Sequence, residues 1–212
     1  MTFSRSDRII VRAAAQQLNT EVIFMKVFDF DNTLYRGESA VDLAIYMIRN
    51  NRRVILYLPK IFYNLIKYKL CLVDKRKMVR AVDDFLKNVI RSREELFGAV
   101  EGFWAEYGRK LDRAMLKRID SDDVIISAGP DFLLYGIKEL LGTENIICSR
   151  IDSRRMRVKY LNFGDNKVRR YRSLYGDKPI DCFYTDSYND KALMDISDRV
   201  YIVKKGRLKR VK

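Results

Sequence analysis

Histidine is absent from this 212-residue chain, and its absence removes several kinds of catalytic site. The Ser–His and Cys–His pairs that activate a hydroxyl or thiol nucleophile are excluded. Zinc sites that depend on histidine ligands are excluded as well. Acid–base chemistry in this protein must therefore use carboxylates, lysine, tyrosine or a metal-bound water.

Cysteine and proline are scarce, with three residues of each. Cys71, Cys148 and Cys182 show no metal-binding spacing, and an odd number of cysteines without a disulfide framework predicts reduced thiols in a cytoplasmic protein. Three prolines and ten glycines leave little room for long disordered linkers, and 48% hydrophobic residues are enough for a buried core. The composition therefore indicates a folded protein.

Long apolar runs are missing too. Residues 1–20 lack the apolar core of a secretory signal. Three lysines and a proline interrupt the most apolar stretch, residues 54–73, so this stretch is not predicted to cross a membrane. Contact with a membrane surface is an alternative that the sequence leaves open, and it would make the protein peripheral to the membrane.

Acidic residues are outnumbered, 28 against 42 basic residues, which gives a formal net charge of +14. Two stretches carry much of the excess: residues 49–80, in which Asp74 is the only acid, and residues 150–178. Such a surface can bind nucleic acid, anionic lipid or anionic small molecules. It can equally be a solvated face that aids solubility, and composition does not choose between these interpretations.

Segments typical of strands alternate with segments typical of helices over most of the chain. The alternation predicts an α/β protein with a doubly wound parallel sheet, and ligands are expected at the carboxyl ends of its strands. Strands are predicted at 22–30, 123–127, 145–151, 157–162, 181–185 and 199–203, and helices from Ser39 onward and at 131–141, 164–175 and 189–196.

The domain organisation follows from where the helical periodicity is concentrated. Residues 37–120 have helical periodicity almost throughout, which predicts an all-α cap domain inserted between the first and second strands. Residues 25–36 and 121–212 then form the α/β core. Residues 1–24 are predicted to be an N-terminal extension, with a short amphipathic helix over 6–18, because the motifs begin only after it.

The first candidate motif, Asp29-x-Asp31-x-Thr33, ends the first predicted strand. An aspartate carboxylate is a competent nucleophile toward phosphorus when a metal offsets the repulsion between two anions. A second carboxylate two residues later can protonate the leaving oxygen and then activate water. Alone the pattern is weak, since it arises by chance in roughly one chain in forty of this length.

Three further motifs fall at the ends of predicted strands or at the start of a helix. Ser127 ends a strand, where a hydroxyl and free backbone N–H groups suit phosphate oxygens, although a serine there is more often a helix cap. Lys167 begins a helix and can neutralise a transferring phosphoryl group, or it can be one more solvated charge. Asp186 and Asp190 straddle the end of a strand. Carboxylates of this kind bind magnesium, but they are also common in solvated turns.

In this order the four motifs resemble those of the haloacid-dehalogenase-like superfamily of phosphatases, in the phosphoserine-phosphatase-like branch that carries a helical cap between the first and second motifs. The resemblance covers about residues 25–206. It implies a Rossmann-like core, an inserted all-α cap and a reaction in which Asp29 is the nucleophile that forms an aspartyl-phosphate. Asp31 is implied as the general acid and base.

The resemblance also implies the ligands of the site. Mg2+ is expected on Asp29, Asp186 and the backbone carbonyl of Asp31, with Asp190 supporting the metal shell or Lys167. Asn32 departs from the family pattern, because many relatives have glycine or serine at that position. The residues implied around the phosphoryl group are Thr33, Ser127, Ala128, Lys167 and Asn189.

Glu38 lies nine residues after Asp29, at the position where phosphoserine phosphatases hold the substrate ammonium group, and it is implied as a substrate-selecting residue. Their cap segment with a carboxylate-binding arginine is not found here, which argues against phosphoserine. Residues 52–77 mix basic and aromatic side chains and resemble the caps of less characterised relatives, some of which act on phospholipid or sugar-linked phosphates. Packing of the aromatic side chains inside the cap is the alternative.

The function predicted from the sequence is that of a magnesium-dependent phosphomonoester hydrolase acting on a small or lipid-linked phosphate. The alternative is a phosphotransferase, or a phosphate-binding protein of the same fold with little hydrolysis. A nucleic-acid-binding protein is a third interpretation; only the charge supports it, and the complete set of acidic motifs argues against it. Phosphorylated small molecules are therefore the expected partners, and contact of the basic cap with an anionic lipid surface stays open.

Overall fold

Residues 25–50 and 92–212 are described in the computed structural model, together with 63, 79–80, 83–84, 86–87 and 90 between them. The N-terminal extension with its predicted helix at 6–18, and nearly all of residues 52–77, lie outside the described residues. The strands are β1 (Lys26–Asp29), β2 (Val124–Pro130), β3 (Ile146–Asp152), β4 (Arg157–Tyr160), β5 (Ile180–Thr185), β6 (Ser197–Lys204) and β7 (Arg207–Arg210).

These strands form a seven-stranded sheet in the order β4-β3-β2-β1-β5-β6-β7. The five central strands, β3, β2, β1, β5 and β6, pair in parallel. The edge strands β4 and β7 pair antiparallel to their neighbours. The predicted doubly wound α/β fold is thereby confirmed. The strand order reverses between β1 and β5, and ligands of doubly wound sheets bind at such a switch point. Asp29 is the last residue of β1, directly at this point.

Helices cover both faces of the sheet. They are α1 (Ser39–Asn50), α2 (Arg93–Tyr107), α3 (Arg113–Leu116), α4 (Asp131–Tyr135), α5 (Asp165–Tyr175) and α6 (Lys191–Ile196), with short 3-10 turns at Gly108–Lys110, Lys138–Leu140 and Tyr188–Asp190. Neighbouring residues of β1 point to opposite faces, so Phe28 joins a hydrophobic cluster with α1, α2 and α4, and Val27 joins one with α5 and α6. No helix in this described part of the chain is long and apolar enough to cross a membrane.

The two ends of the predicted cap segment pack against the core. Tyr46 of α1 makes edge contacts with Phe103 and Tyr107 of α2. Trp104 of α2 donates a 2.8 Å hydrogen bond from its indole nitrogen to the carbonyl of Leu133 in α4. Between these helices, residues 63, 79–80, 83–84 and 86–87 are helical. The boundaries 37–120 for an inserted cap stay a prediction.

Two local predictions differ from the structure. The helix predicted at 131–141 ends at Tyr135, because Ile137 leaves the helical conformation with φ −129° and ψ 17°, and a separate 3-10 turn follows at Lys138–Leu140. The strand predicted at 157–162 is β4, and it runs antiparallel to β3, since the turn at 153–156 is too short for a parallel crossover.

Strand β7 was not among the predicted strands. Its residues Arg207–Arg210 are mostly basic and exposed, so they lack the apolar alternation that marks a half-buried strand. Lys205 and Gly206 have φ values of 51° and 75°, which is the left-handed geometry of a two-residue hairpin turn. This turn folds β7 back along β6 as an edge strand.

Candidate active site

Three adjacent strands bring the predicted site residues to one edge of the sheet. Asp29 at the end of β1 is level with Ile126 of β2, so Ser127 follows at the same edge. On the other side, Phe28 pairs with Tyr184 of β5, so Asp186 comes just beyond the end of that strand. Parallel pairing therefore collects residues that lie far apart in the sequence.

Lys167 links two of the predicted acids. Its ammonium nitrogen lies 2.8 Å from Asp29 Oδ1 and 2.9 Å from Asp190 Oδ2. Only 5% of Lys167 is exposed, which rejects the interpretation of this residue as a solvated charge. The Thr185 hydroxyl donates to the same Asp190 oxygen at 3.3 Å. The N-terminal turn of α5 thus places its lysine against the nucleophile candidate.

The loop after β1 positions Asp31 and Thr33. The carbonyl of Phe30 accepts from the N–H groups of Thr33, Leu34 and Tyr35 in a tight turn. Asp31 Oδ1 accepts a 2.7 Å hydrogen bond from the backbone N–H of Ser39, the first residue of α1. The Thr33 hydroxyl oxygen is buried and has no hydrogen-bond partner among the described residues, as expected of a group that is left for a ligand oxygen.

Asn32 and Glu38 form a pair across this loop. Asn32 has φ 57°, a left-handed conformation that asparagine tolerates better than most residues. Its side-chain amide donates a 2.9 Å hydrogen bond to Glu38 Oε1. The departure from the family pattern at position 32 thereby acquires a physical reason, because asparagine both adopts the turn and fixes the carboxylate of Glu38.

The electrostatics of the site favour proton transfer by Asp31. Burial raises the pKa of Asp31 to about 6, although the hydrogen bond from the backbone N–H of Ser39 acts to lower it. A carboxyl group with such a pKa can exist in either protonation state near neutral pH, which suits alternating general acid and base roles.

Asp29 and Lys167 form a buried ion pair. Burial alone lowers the pKa of Lys167, but the two carboxylates of Asp29 and Asp190 raise it above its ordinary value. An ammonium group 2.8 Å from one carboxylate and 2.9 Å from another stays protonated, so Lys167 is the charged partner of this pair.

Ser127 and Ala128 lie in an irregular part of β2. The Ser127 hydroxyl is buried and accepts a 2.9 Å hydrogen bond from the N–H of Gly129. The helix that follows, α4, has Pro130 as its N-cap residue, so Ser127 is not a helix cap. Asn162 Nδ2 donates to the Ser127 carbonyl at 2.8 Å, and Ser149 Oγ donates to the Ala128 carbonyl at 2.7 Å.

Asp186 and Asn189 follow β5. Burial raises the pKa of Asp186, and the charges of Glu38 and Asp190 add to the rise, so these three carboxylates share one region. Asn189 is exposed, and its backbone N–H donates to Ser187 Oγ. Within the described part of the chain, the Asn189 side chain is not brought against the other predicted site residues.

The donor set fits a divalent cation. Lys167 is a buried cation beside a group of five carboxylates. Its charge acts on four of them, and the fifth, Glu38, acts on Asp31 and Asp186. This excess of negative charge favours a bound cation. The described residues contain no group of three or more His, Cys, Asp or Glu side chains arranged to hold a metal ion. Asp29, Asp186 and the carbonyl of Asp31 stay the ligands expected from the resemblance, and this set contains two carboxylate side chains. The five carboxylates are Asp29, Asp31, Glu38, Asp186 and Asp190.

Sequence reasoning missed several supporting residues. Asn162, Ser149 and Thr185 all donate hydrogen bonds within the site. The one available signal was the position of Asn162, five residues ahead of Lys167. A single asparagine or serine in a sequence does not reveal which distant carbonyl it meets.

A family model described as haloacid dehalogenase-like hydrolase matches residues 27–195 of this chain. The match begins in β1 and ends in α6, so it includes every candidate site residue named above. No curated protein sequence matches this chain significantly.

Several solved structures have a similar fold. A protein with unknown function from Bordetella pertussis Tohama I is 21% identical, with a TM-score of 0.68, and the similarity covers 83% of this chain and 87% of that one. A phosphoserine phosphohydrolase-like protein from Francisella tularensis subsp. tularensis SCHU S4 is 18% identical, with a TM-score of 0.57 and coverage of 84% and 86%. A phosphoserine phosphatase solved as a phospho-aspartyl intermediate analogue is 17% identical, with a TM-score of 0.50 and 84% coverage of both chains. At these identities the similarity is one of fold.

Proposed function

This chain belongs to the haloacid dehalogenase-like hydrolases, and we propose that it is a magnesium-dependent phosphatase whose nucleophile is Asp29. The resemblance inferred from the sequence motifs is thus confirmed at the level of the family. The observation that carries the proposed chemistry is the contact of Lys167 with Asp29 at 2.8 Å and with Asp190 at 2.9 Å. A buried cation beside a strand-end carboxylate is what an anionic nucleophile needs in order to approach an anionic phosphate.

In the proposed reaction, an Asp29 carboxylate oxygen attacks phosphorus and the bond from phosphorus to the leaving oxygen breaks. Asp31 gives its proton to that oxygen, and an aspartyl-phosphate forms. Asp31 then takes a proton from a water molecule, which attacks phosphorus and releases inorganic phosphate and Asp29. Giving and then taking a proton suits a carboxyl group such as that of Asp31, whose pKa is raised to about 6.

The remaining groups bind and orient the phosphoryl oxygens. Three groups are available for this purpose: the Thr33 hydroxyl, which has no hydrogen-bond partner among the described residues, the backbone at Ser127 and Ala128, and the ammonium group of Lys167. Mg2+ held by Asp29, Asp186 and the carbonyl of Asp31 would supply further positive charge at the phosphoryl group. Phosphate-monoester hydrolysis is among the slowest uncatalysed reactions, so all of these contributions are needed.

The proposed substrate is a phosphorylated small molecule or a lipid-linked phosphate monoester. Glu38 accepts a 2.9 Å hydrogen bond from Asn32 and is proposed to act in substrate selection. It lies close to the site, because its charge raises the pKa of both Asp31 and Asp186. Residues 52–77, on which the proposed lipid contact depends, lie almost entirely outside the described residues.

Hydrolysis of p-nitrophenyl phosphate with and without Mg2+ tests this function. The wild-type protein is expected to release p-nitrophenol only with Mg2+, and Asp29→Asn is expected to lose the activity by a factor on the order of 10³ or more. Asp195→Asn is the matched control, since Asp195 is exposed and pairs with Lys191 on the surface. Absence of magnesium-dependent turnover by the wild type on this ester and on a panel of small and lipid phosphates would overturn the proposal.

A further inference from the structure

The pairing of β2 with β3 is interrupted beside the active site. The ladder is regular up to the pair Ile126–Ile147 and resumes at Pro130–Ser149. Between these pairs β2 has residues 127–129, whereas β3 has only Cys148. Such bulges redirect side chains and are common next to active sites. Ser127 and Ala128, both expected at the phosphoryl group, belong to this bulge.

Two side chains satisfy the backbone carbonyls of the bulge. Asn162 Nδ2 donates to the carbonyl of Ser127 at 2.8 Å and to that of Ile147 at 3.3 Å, so it spans the gap between the strands. Ser149 Oγ donates to the carbonyl of Ala128 at 2.7 Å and accepts from the N–H of Asn162 at 2.9 Å. Buried carbonyls require donors, and here these two residues provide donors across the interrupted ladder.

Burial makes these bonds decisive for the shape of the bulge. Asn162 is 0% exposed and Ser149 is 3% exposed, so water does not readily replace either donor. Asn162 also begins the segment that leads to Lys167, and this segment is closed by a 2.8 Å hydrogen bond from Asn166 Nδ2 to the carbonyl of Leu161. The bulge and the start of α5 are therefore held to each other through Asn162.

We propose that Ser149 and Asn162 are positioning residues for phosphoryl transfer. By fixing the carbonyls of Ser127 and Ala128, they direct the Ser127 hydroxyl and the N–H of Ala128 toward the phosphoryl oxygens. This inference rests on the phosphatase function proposed above. Neither residue needs to touch the substrate, because a misplacement of about 1 Å in a binding group can lower the rate by a factor on the order of 10².

Ser149→Ala tests the proposal with a small change, since it removes one buried oxygen and no carbon. The value of kcat/KM is expected to fall by a factor of about 10 to 100, mainly through kcat. Inhibition by orthovanadate is expected to weaken by a similar factor, because a transition-state analogue depends on the same placement. Ser149→Thr retains the hydroxyl and is expected to restore most of the activity.

Thr143→Val provides the matched control. The Thr143 hydroxyl donates to the carbonyls of Ser121 at 2.9 Å and Asp123 at 2.7 Å, so it has the same chemistry at the opposite end of β2. Its loss is expected to lower the melting temperature about as much as Ser149→Ala does, yet to leave kcat/KM within about twofold of wild type. All assays are made at a temperature where circular dichroism shows wild type and control to be folded.

The outcomes separate the two proposals. A wild type without magnesium-dependent turnover overturns the proposed function itself. If the wild type is active, either of two results overturns the positioning role alone. The first is that Ser149→Ala keeps the wild-type kcat/KM and orthovanadate affinity. The second is that Thr143→Val loses as much kcat/KM as Ser149→Ala. A Ser149→Ala variant that is unfolded where Thr143→Val is folded also overturns it, because Ser149 would then serve the fold rather than the reaction.

Discussion

Asp190 Oδ2 lies 2.9 Å from the ammonium nitrogen of Lys167, and the same nitrogen lies 2.8 Å from Asp29. These three side chains come from β1, the start of α5 and the turn after β5. Each is less than a tenth exposed. Lys167 therefore has two functions that can be measured separately, since it compensates two buried carboxylates and stands beside the nucleophile candidate.

Lys167→Met is expected to destabilise the protein by about 3–5 kcal/mol, because it leaves buried carboxylates without their cation. Activity is expected to fall by a factor on the order of 10² to 10³. Urea unfolding gives the free energy of unfolding, and p-nitrophenyl phosphate hydrolysis gives the activity.

Lys191→Met is the comparison for this variant. The ammonium group of Lys191 is exposed and pairs with Asp195 on the surface of α6, so its loss is expected to change the free energy of unfolding by less than about 0.5 kcal/mol. A Lys167→Met protein as stable and as active as Lys191→Met would contradict the assignment of Lys167 to the site.

The sequence was sufficient to predict the doubly wound core and the acids at its strand ends. Asp29 and Asp186 could be placed because a parallel sheet gathers the residues that follow each strand at one edge. The charge of Lys167 had an equally good solvated interpretation, and only its burial decided between them. Edge strand β7 was not predicted, since the basic residues of Arg207–Arg210 do not alternate with apolar ones. Edge strand β4 was predicted as a strand, but its antiparallel direction was not.

The support of the site was beyond sequence reasoning. Ser149 and Asn162 act on the carbonyls of Ala128 and Ser127, more than 20 residues away along the chain. Their role depends on a bulge between residues 127 and 129. A bulge arises from the three-dimensional register of two strands, and hydrophobic periodicity reports only which face of a strand is buried.

Gly98 and Gly102 both lie in α2, and their replacement by alanine is expected to have opposite effects. A Cβ at Gly98 meets nothing within 4 Å, whereas one at Gly102 would lie against the hydroxyl of Tyr46. Tyr46 is held by edge contacts with Phe103 and Tyr107, so it cannot move without loss of packing.

Gly98→Ala is therefore expected to raise the free energy of unfolding by about 0.5–1 kcal/mol, the difference in helix propensity. Gly102→Ala is expected to lower it by about 1–3 kcal/mol through overpacking. Thermal and urea unfolding of the two variants measure both values. Equal stabilisation by both substitutions would show that Tyr46 does not fill the space beside Gly102.

Asn32 is expected to tolerate glycine but not a β-branched residue. Its φ of 57° is left-handed, so Asn32→Val is expected to cost about 1–3 kcal/mol, whereas Asn32→Gly keeps the turn. Asn32→Gly removes the 2.9 Å hydrogen bond to Glu38, and we expect it to change the ratio of kcat/KM values across a panel of phosphate esters.

Lys205→Val is the control for strain at Asn32. Lys205 also has a positive φ, 51°, but it lies in the β6–β7 turn. The variant is expected to lose a similar amount of stability while its ratio of kcat/KM values stays that of wild type. An unchanged substrate profile for Asn32→Gly would argue against a role of the Asn32–Glu38 pair in substrate selection.

Cys148 is expected to be unreactive in the folded protein. Burial raises the pKa of its thiol to about 12, and the charge of Asp131 adds to this rise while Arg150 opposes it. Because the pKa is raised, only a fraction of the thiol on the order of 10⁻⁴ is the reactive thiolate at pH 8.

Alkylation by iodoacetamide tests this prediction. Between pH 7 and 9 its rate at Cys148 should stay low and increase about tenfold per pH unit. In denaturant the thiol has its ordinary pKa of about 8.5, so labelling should be fast and should level off above that pH. Peptide mapping by mass spectrometry follows Cys148 alone, and rapid labelling of the folded protein at pH 8 would show that this strand opens to solvent.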